Sequence, residues 1–195
     1  VAGSLIFSPD SKSFAYVAKR SKKWLVVVNG VEGKEYDGIV KGSLIFSPDS
    51  KSFAYGAKRG GKQFVVVDGV EGKEYDRIRA GTLIFSPDSK RFAYWAMRGE
   101  WFSDEKWLVV VDGVEGEEYD GIGAGSLIFS PDSKRFAYVA VRGEKQFVVV
   151  DGVEGEEYDG FLRGSKLVFD SPNRLHSLAR RGDEIFLVEV EIVEQ

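Results

Sequence analysis

The sequence predicts an all-β protein assembled from five tandem copies of one four-stranded unit. Three observations carry this: a marker segment at near-constant spacing, short apolar runs rich in Val, Phe and Tyr, and a turn signal after each run. The marker is Gly-Ser/Thr-Leu-Ile-Phe-Ser-Pro-Asp-Ser-Lys. It begins at Gly3, Gly42, Gly81 and Gly125, with a degraded copy at Gly164. The intervals are 39, 39, 44 and 39 residues, so the third unit carries five extra.

The first unit shows the order of elements. Leu5-Ile6-Phe7 is a short apolar run that stops at Ser8-Pro9-Asp10-Ser11. Pro at the second position, with Ser before it and Asp after it, suits a type I turn. Phe14-Ala15-Tyr16-Val17-Ala18 then alternates bulky and small residues and stops at Lys19-Arg20. Trp24-Leu25-Val26-Val27-Val28 stops at Asn29-Gly30, replaced in later copies by Asp68-Gly69, Asp112-Gly113 and Asp151-Gly152. Asn-Gly or Asp-Gly between apolar runs predicts a type I′ hairpin, which needs positive φ at both residues. The fourth strand is then Val31-Glu32-Gly33-Lys34-Glu35-Tyr36.

A helical repeat of similar period is rejected, because any useful helix would cross a Pro or a Gly-containing turn in every unit. The first three strands are apolar at nearly every position, as expected for strands covered on both faces. The fourth is charged and contains a glycine, which suits an exposed edge. The order is therefore inner, middle, middle, outer edge, the plan of a propeller blade. The expectation is a five-bladed β-propeller in a single domain over residues 1–195. The repeats fall at approximately 3–41, 42–80, 81–124, 125–163 and 164–195.

At residues 85–94 and 129–138, Phe-Ser-Pro-Asp-Ser-Lys-Arg-Phe-Ala-Tyr resembles the TolB-type, WD-like propeller repeat. Four units carry the resemblance well and the fifth poorly. It implies the propeller fold and, since members are often extracytoplasmic or bacterial, a periplasmic or secreted setting. Some members are fused to serine peptidase domains, but no Gly-x-Ser-x-Gly elbow occurs here. The resemblance does not specify an activity.

The fifth unit departs from the others. Its turn, Asp170-Ser171-Pro172-Asn173, is displaced by about one residue. The Asp-Gly hairpin is missing, and the chain runs from Ile185 to Val193 without it. Three local strands are expected there. Val1-Ala2 aligns with Val40-Lys41, beyond the end of a fourth strand, so two readings stand: a three-stranded fifth blade, or a closing strand from outside this chain. The second makes the incomplete fifth blade a route to oligomers.

Composition narrows the function classes. Apolar residues make up 43% and charged residues 30%, so the core can be sizeable. With 27 basic and 31 acidic residues the net charge is −4, too mild to expect a nucleic-acid partner. The absence of cysteine excludes disulfides, Cys-ligated zinc, iron–sulfur clusters and thiol nucleophiles. No apolar run approaches the roughly 20 residues of a membrane-spanning helix, and Val1-Ala2-Gly3-Ser4 does not begin a signal peptide. No membrane partner is expected.

Two groups of candidate partner-binding residues emerge. Arg20, Arg59, Arg98, Arg142 and Arg181 occupy equivalent positions at the connection from second to third strand. On a shared face they would suit an anionic ligand or an acidic peptide. The alternative is that each pairs with the acidic Glu-Tyr-Asp ending the fourth strand, as at Glu35-Tyr36-Asp37. Trp101 and Phe102 sit in the five-residue insertion of the third unit, and both are types enriched at interfaces. The acidic hairpins at residues 112–118 and 151–157 match no standard calcium-loop spacing, so no metal is expected. The only histidine, His176, would need a nucleophile such as Ser177 or Ser171 beside it for catalysis, and a structural histidine is expected instead. No cofactor and no catalytic residues are assigned.

The leading functional expectation is a non-catalytic binding or scaffolding module presenting a loop face to a protein, peptide or glycan. Four nearly interchangeable units offer repeated contacts but little of the asymmetry that catalysis requires. The alternatives are a hydrolase or lyase with its site at a channel mouth, and a structural fragment of a longer or engineered repeat assembly.

Overall fold

A computed structural model of the chain describes residues 5–99 and 105–193, and it is all-β, with five antiparallel sheets. It divides into two compact units: residues 1–105 with 109–115, and residues 106–108 with 116–195.

In the first unit, the first sheet runs β1 (Ile6–Phe7), β2 (Phe14–Arg20), β3 (Lys23–Val28), β4 (Val31–Glu32). The second contains β5 (Gly38–Ile39), β6 (Ile45–Phe46), β7 (Phe53–Arg59), β8 (Lys62–Val67) and β9 (Val70–Glu71). The third repeats this plan with β10 (Arg77–Ile78), β11 (Ile84–Phe85), β12 (Phe92–Arg98), β13 (Lys106–Val111), whose first three residues are assigned to the second unit, and β14 (Val114–Glu115).

In the second unit, the fourth sheet holds β15 (Gly121–Ile122), β16 (Ile128–Phe129), β17 (Phe136–Arg142), β18 (Lys145–Val150) and β19 (Val153–Glu154). The fifth holds β20 (Gly160–Phe161), β21 (Val168–Ser171), β22 (Arg174–Arg181) and β23 (Glu184–Glu191). These sheets are the blades of a five-bladed β-propeller fold.

Both predicted turns form. Ser11 N–H donates to Ser8 O at 2.9 Å, closing the turn around Pro9. Ser8 Oγ donates to Asp10 Oδ1 at 2.6 Å and accepts from Ser13 N–H, so the Ser-Pro-Asp signature stabilises its own turn. At the second hairpin Asn29 and Gly30 have φ of 50° and 83°, and Asp151 and Gly152 have 50° and 86°. The carboxylates of Asp68, Asp112 and Asp151 accept from the N–H of Phe53, Phe92 and Phe136, which accounts for Asp at this site without a metal.

The inner strand differs from the expectation. From the second blade onward it is in two pieces, because the residues after the fourth strand already belong to the next blade. β5 pairs with the Ala57-Lys58 end of β7, while β6 pairs with its Phe53-Ala54 end. Between them Gly42, at φ +70°, turns the chain away from the ladder. Ser43 Oγ fills the gap, donating to Val40 O and accepting from Gly56 N–H at 2.9 Å. Thr82, Ser126 and Ser165 hydroxyls make the same backbone link in later blades. The Ser/Thr of the marker is thus a substitute for a missing ladder bond.

The fourth strand is shorter than expected. Only Val31–Glu32 pairs continuously with β3, followed by a single bridge from Tyr36 to Trp24. The fifth blade is three strands deep among the described residues. β20 and β21 lie on one side of β22, β23 on the other, and no strand pairs with the outer edge of β23.

Packing at the inner-strand break is matched within each blade. A Cβ on Gly56 would meet Val40 Cγ2 at 2.8 Å, and in the fourth blade the pair is reversed, with Gly123 facing Val139 at 3.0 Å. Introducing Gly56→Val should therefore cost about 1–3 kcal/mol by overpacking. Adding Val40→Gly should recover most of the loss, which denaturant midpoints of both variants will measure.

Candidate functional site

The five arginines end the second strands, and each described guanidinium is engaged. Arg20 pairs with Glu32 at 2.6 Å, Arg59 with Glu71 at 2.8 Å, Arg98 with Glu115 at 2.5 Å and Arg142 with Glu154 at 2.6 Å. Arg181 reaches Glu156 at 3.3 Å and Glu157 O at 3.0 Å. For the first four the main acidic partner is thus the glutamate that ends the short fourth strand, two residues after the hairpin Gly. The Glu-Tyr-Asp further along contributes Glu35, at 3.6 Å from Arg20, and the Glu157 carbonyl that Arg181 reaches.

The same glutamate receives a tyrosine from the preceding blade. Tyr36 donates its hydroxyl to Glu71 at 3.1 Å, Tyr75 to Glu115 at 2.7 Å and Tyr119 to Glu154 at 3.1 Å. All three tyrosines are almost fully buried. Arg59 lies over the Tyr36 ring at 5.6 Å and Phe64 at 4.8 Å, and Arg142 lies over Tyr119 at 5.5 Å and Phe147 at 5.1 Å. Tyr36 also packs edge-on against Tyr55 and Phe64.

A second clip uses the aspartate after each tyrosine. Asp37 accepts from Lys23 at 2.6 Å and from Gly60 N–H of the next blade at 2.8 Å, and Asp159 does the same with Lys145 and Gly182. These hydrogen bonds hold both carboxyls below the usual carboxylate range.

Burial raises the phenol of Tyr119 to about 12, so it stays a neutral donor. Burial would raise Glu115 as well, but hydrogen bonds from Lys73, Arg98 and Tyr75 bring its carboxyl down to about 2.

The fifth blade breaks this pattern at three positions. Register from the hairpin makes Leu175 the equivalent of Phe136, Ser177 of Tyr138, and Glu184 of Lys145. Between the first two blades, Phe46, Phe53 and Tyr55 project over Val26, Val28 and Val31 and leave a groove of 420 Å³. Between the fourth and fifth, Val148, Val150 and Val153 face Val190, Ile192 and Val193 around 700 Å³. Leu175 and Ser177, the equivalents of the Phe53 and Tyr55 that line the first groove, do not line this one. Arg135, Asp151, Glu154 and Glu191 add charge around it, with Arg135 and Asp151 paired at 3.1 Å.

This groove is the candidate site, and the sequence reading missed it. Its signal was present in the fifth copy of Phe-Ala-Tyr, which reads Leu175-His176-Ser177. His176 pairs through Nδ1 with Asp170 at 2.7 Å. Ser177 lies on the opposite face of β22, buried and bonded to Ser165 at 3.1 Å, so His and Ser do not meet. Trp101 and Phe102 lie outside the described residues.

No protein-family profile and no curated protein matches the sequence. Among solved structures the chain is similar to the acylaminoacyl peptidase of Pyrococcus horikoshii, at 15% identity and a TM-score of 0.50 over 93% of this chain and 38% of that one. It is also similar to TolB from Acinetobacter baumannii, at 17% identity and a TM-score of 0.46, over 96% of this chain and 51% of that one. The β-propeller domain of the Trilobed protease from Pyrococcus furiosus matches at 13% identity and a TM-score of 0.47, over 98% and 70%. The chain thus spans about half the length of the Acinetobacter protein. At these identities the likeness is one of fold, and it agrees with the blades seen here. The described residues contain no helix long and apolar enough to cross a membrane.

The acidic arm of the Arg98–Glu115–Tyr75 cluster makes stability depend on pH. Because the folded carboxyl lies below its unfolded value near 4.5, its contribution is present above about pH 4.5 and lost as pH falls towards about 2. Glu115→Gln should lower stability at pH 7 by about 1–3 kcal/mol and flatten the acid limb, as read from urea midpoints across pH 2–7.

Proposed function

We propose that this chain is a non-catalytic binding module, and that its ligand is an extended protein or peptide segment received in the groove between the fourth and fifth blades. The observation that carries this is the wider groove at that junction, the one among the described residues where Leu175 and Ser177 stand in place of the repeat's aromatic pair. An apolar floor of valines with ionised side chains at the rim suits a peptide whose apolar side chains enter while polar groups fix its orientation. The arginines of the other junctions support the reading indirectly. They are occupied with Glu and Tyr, so the regular junctions serve as frame and the irregular one is left open. Trp101 and Phe102 stay in the proposal as a second contact with the partner.

Panning a random dodecapeptide display library on the purified chain tests this. Enriched peptides, labelled and titrated by fluorescence anisotropy, should bind at least tenfold more weakly to a Val153→Asp/Val193→Asp variant. Both side chains are exposed, at 72% and 79%, so their replacement should leave stability within about 0.5 kcal/mol of the parent. Peptides indifferent to the variant would remove the groove as the site, and their response to Trp101→Ala/Phe102→Ala would then test the third-blade loop.

A further inference from the structure

Among the described residues the fifth blade has an uncovered strand edge at a position that the other four cover with a short fourth strand. In the fourth blade β19 covers β18, with Val149 opposite Glu154 and Val150 opposite Val153, and Tyr158 bridges back to Gln146. Gln146 exchanges both backbone bonds with Tyr158 at 2.8–2.9 Å, and Val148 O accepts from Gly155 N–H at 2.8 Å. The equivalents in β23 are Ile185 and Leu187, and the same register turns their backbone groups away from β22. No strand meets them among the described residues, and their side chains are 64% and 59% exposed. An edge of this length presents a template for another strand.

Charge decides which strand fits. Lys23, Lys62, Lys106 and Lys145 open the third strands, and each binds an aspartate at the end of its own blade's fourth strand, at 2.5–2.6 Å. At that register position the fifth blade has Glu184, which has no ion-pair partner within 4 Å among the described residues. Its neighbour across the ladder, Arg181, is held by Glu156. Glu189 and Glu191 follow along the same edge, Glu189 paired with Arg174. A second copy of β23 laid antiparallel along this edge would add three more acids to the three already there, so self-pairing is disfavoured.

We propose that the outer edge of β23 docks an extended basic peptide segment, which pairs antiparallel as a fourth strand and sets a Lys or Arg opposite Glu184. The main-chain bonds supply affinity and the inverted charge supplies selectivity. This deepens the binding role proposed above by naming the chemistry of the partner, and it rests on that reading.

The probe is a charge-inverted copy of the chain's own fourth strand, fluorescein-Val-Lys-Gly-Lys-Lys-Tyr-Lys. Its comparator is the native Val-Glu-Gly-Glu-Glu-Tyr-Asp of residues 153–159. The basic peptide should bind at least tenfold more tightly by anisotropy, and Glu184→Lys should reverse the preference. Leu187→Pro removes one outward N–H on an edge strand, where Pro is tolerated, so binding should be lost while the circular dichroism and Tm hold. Hydrogen exchange at the Ile185 and Leu187 amides should slow on binding.

Equal affinity for the two peptides, or binding that survives Leu187→Pro, overturns the proposal. So does protection of those amides before peptide is added, since another strand would already lie there. Self-association that the peptide cannot displace would make a second copy the occupant and overturn it too. If these arms fail while the panned peptides still respond to Val153→Asp/Val193→Asp, the groove stands and only the strand-docking chemistry falls.

Discussion

The interaction on which the regular blades depend is the burial of one tyrosine per junction with its hydroxyl on a glutamate of the next blade. A phenol sealed from water costs free energy unless it is hydrogen-bonded. An isolated carboxylate beside it would cost more, so the arginine ending the next second strand completes the cluster. Tyr36, Glu71 and Arg59 are one such group, and Tyr75, Glu115 and Arg98 another. Because Tyr36 also bridges back to Trp24, the cluster holds the tail of one blade and the flank of the next at the same point. The lysine and aspartate that follow bring the hairpin Gly60 into the same junction.

This arrangement explains why the fourth strand is so short. Its residues do not need a long ladder, because two points of attachment suffice: Val31–Glu32 beside the turn, and Tyr36 at the far end. It also explains why the chain enters the next blade directly afterwards. Asp37 N–H donates to Lys58 O, so the aspartate is at once the clip of one blade and the first inner-strand contact of the next.

The fifth blade is where the pattern lapses, and the lapses occur together. Leu175 and Ser177 replace the aromatic pair, Glu184 reverses the sign of the opening lysine, and Tyr158 meets Phe161 and Phe186 at 5.9 and 6.4 Å. Among the described residues, a groove and an unpaired strand edge lie at this blade. In an array of near-identical units, that irregularity is the main asymmetry among the described residues.

Much of the fold was legible in the sequence because it is written in local geometry. Pro9 in its turn and Asn29-Gly30 in its hairpin depend on backbone preferences that neighbours scarcely alter, and the repeat spacing fixed how many such units there are. The shortened fifth blade was legible for the same reason, as a missing Asp-Gly. The break at Gly42 was not, since it is bridged by a Ser43 hydroxyl reaching Gly56 thirteen residues on. Nor were the partners of the arginines, which two acidic clusters along the fourth strand could equally have supplied. The choice of Glu71 over Glu74 for Arg59 follows from which carboxylate the buried Tyr36 hydroxyl also meets. The sequence by itself thus determined the strands, the turns and the number of blades, because those are properties of short segments. Only the tertiary structure decided which charges meet across a junction and where one was left open, because burial at a junction depends on side chains from two blades at once.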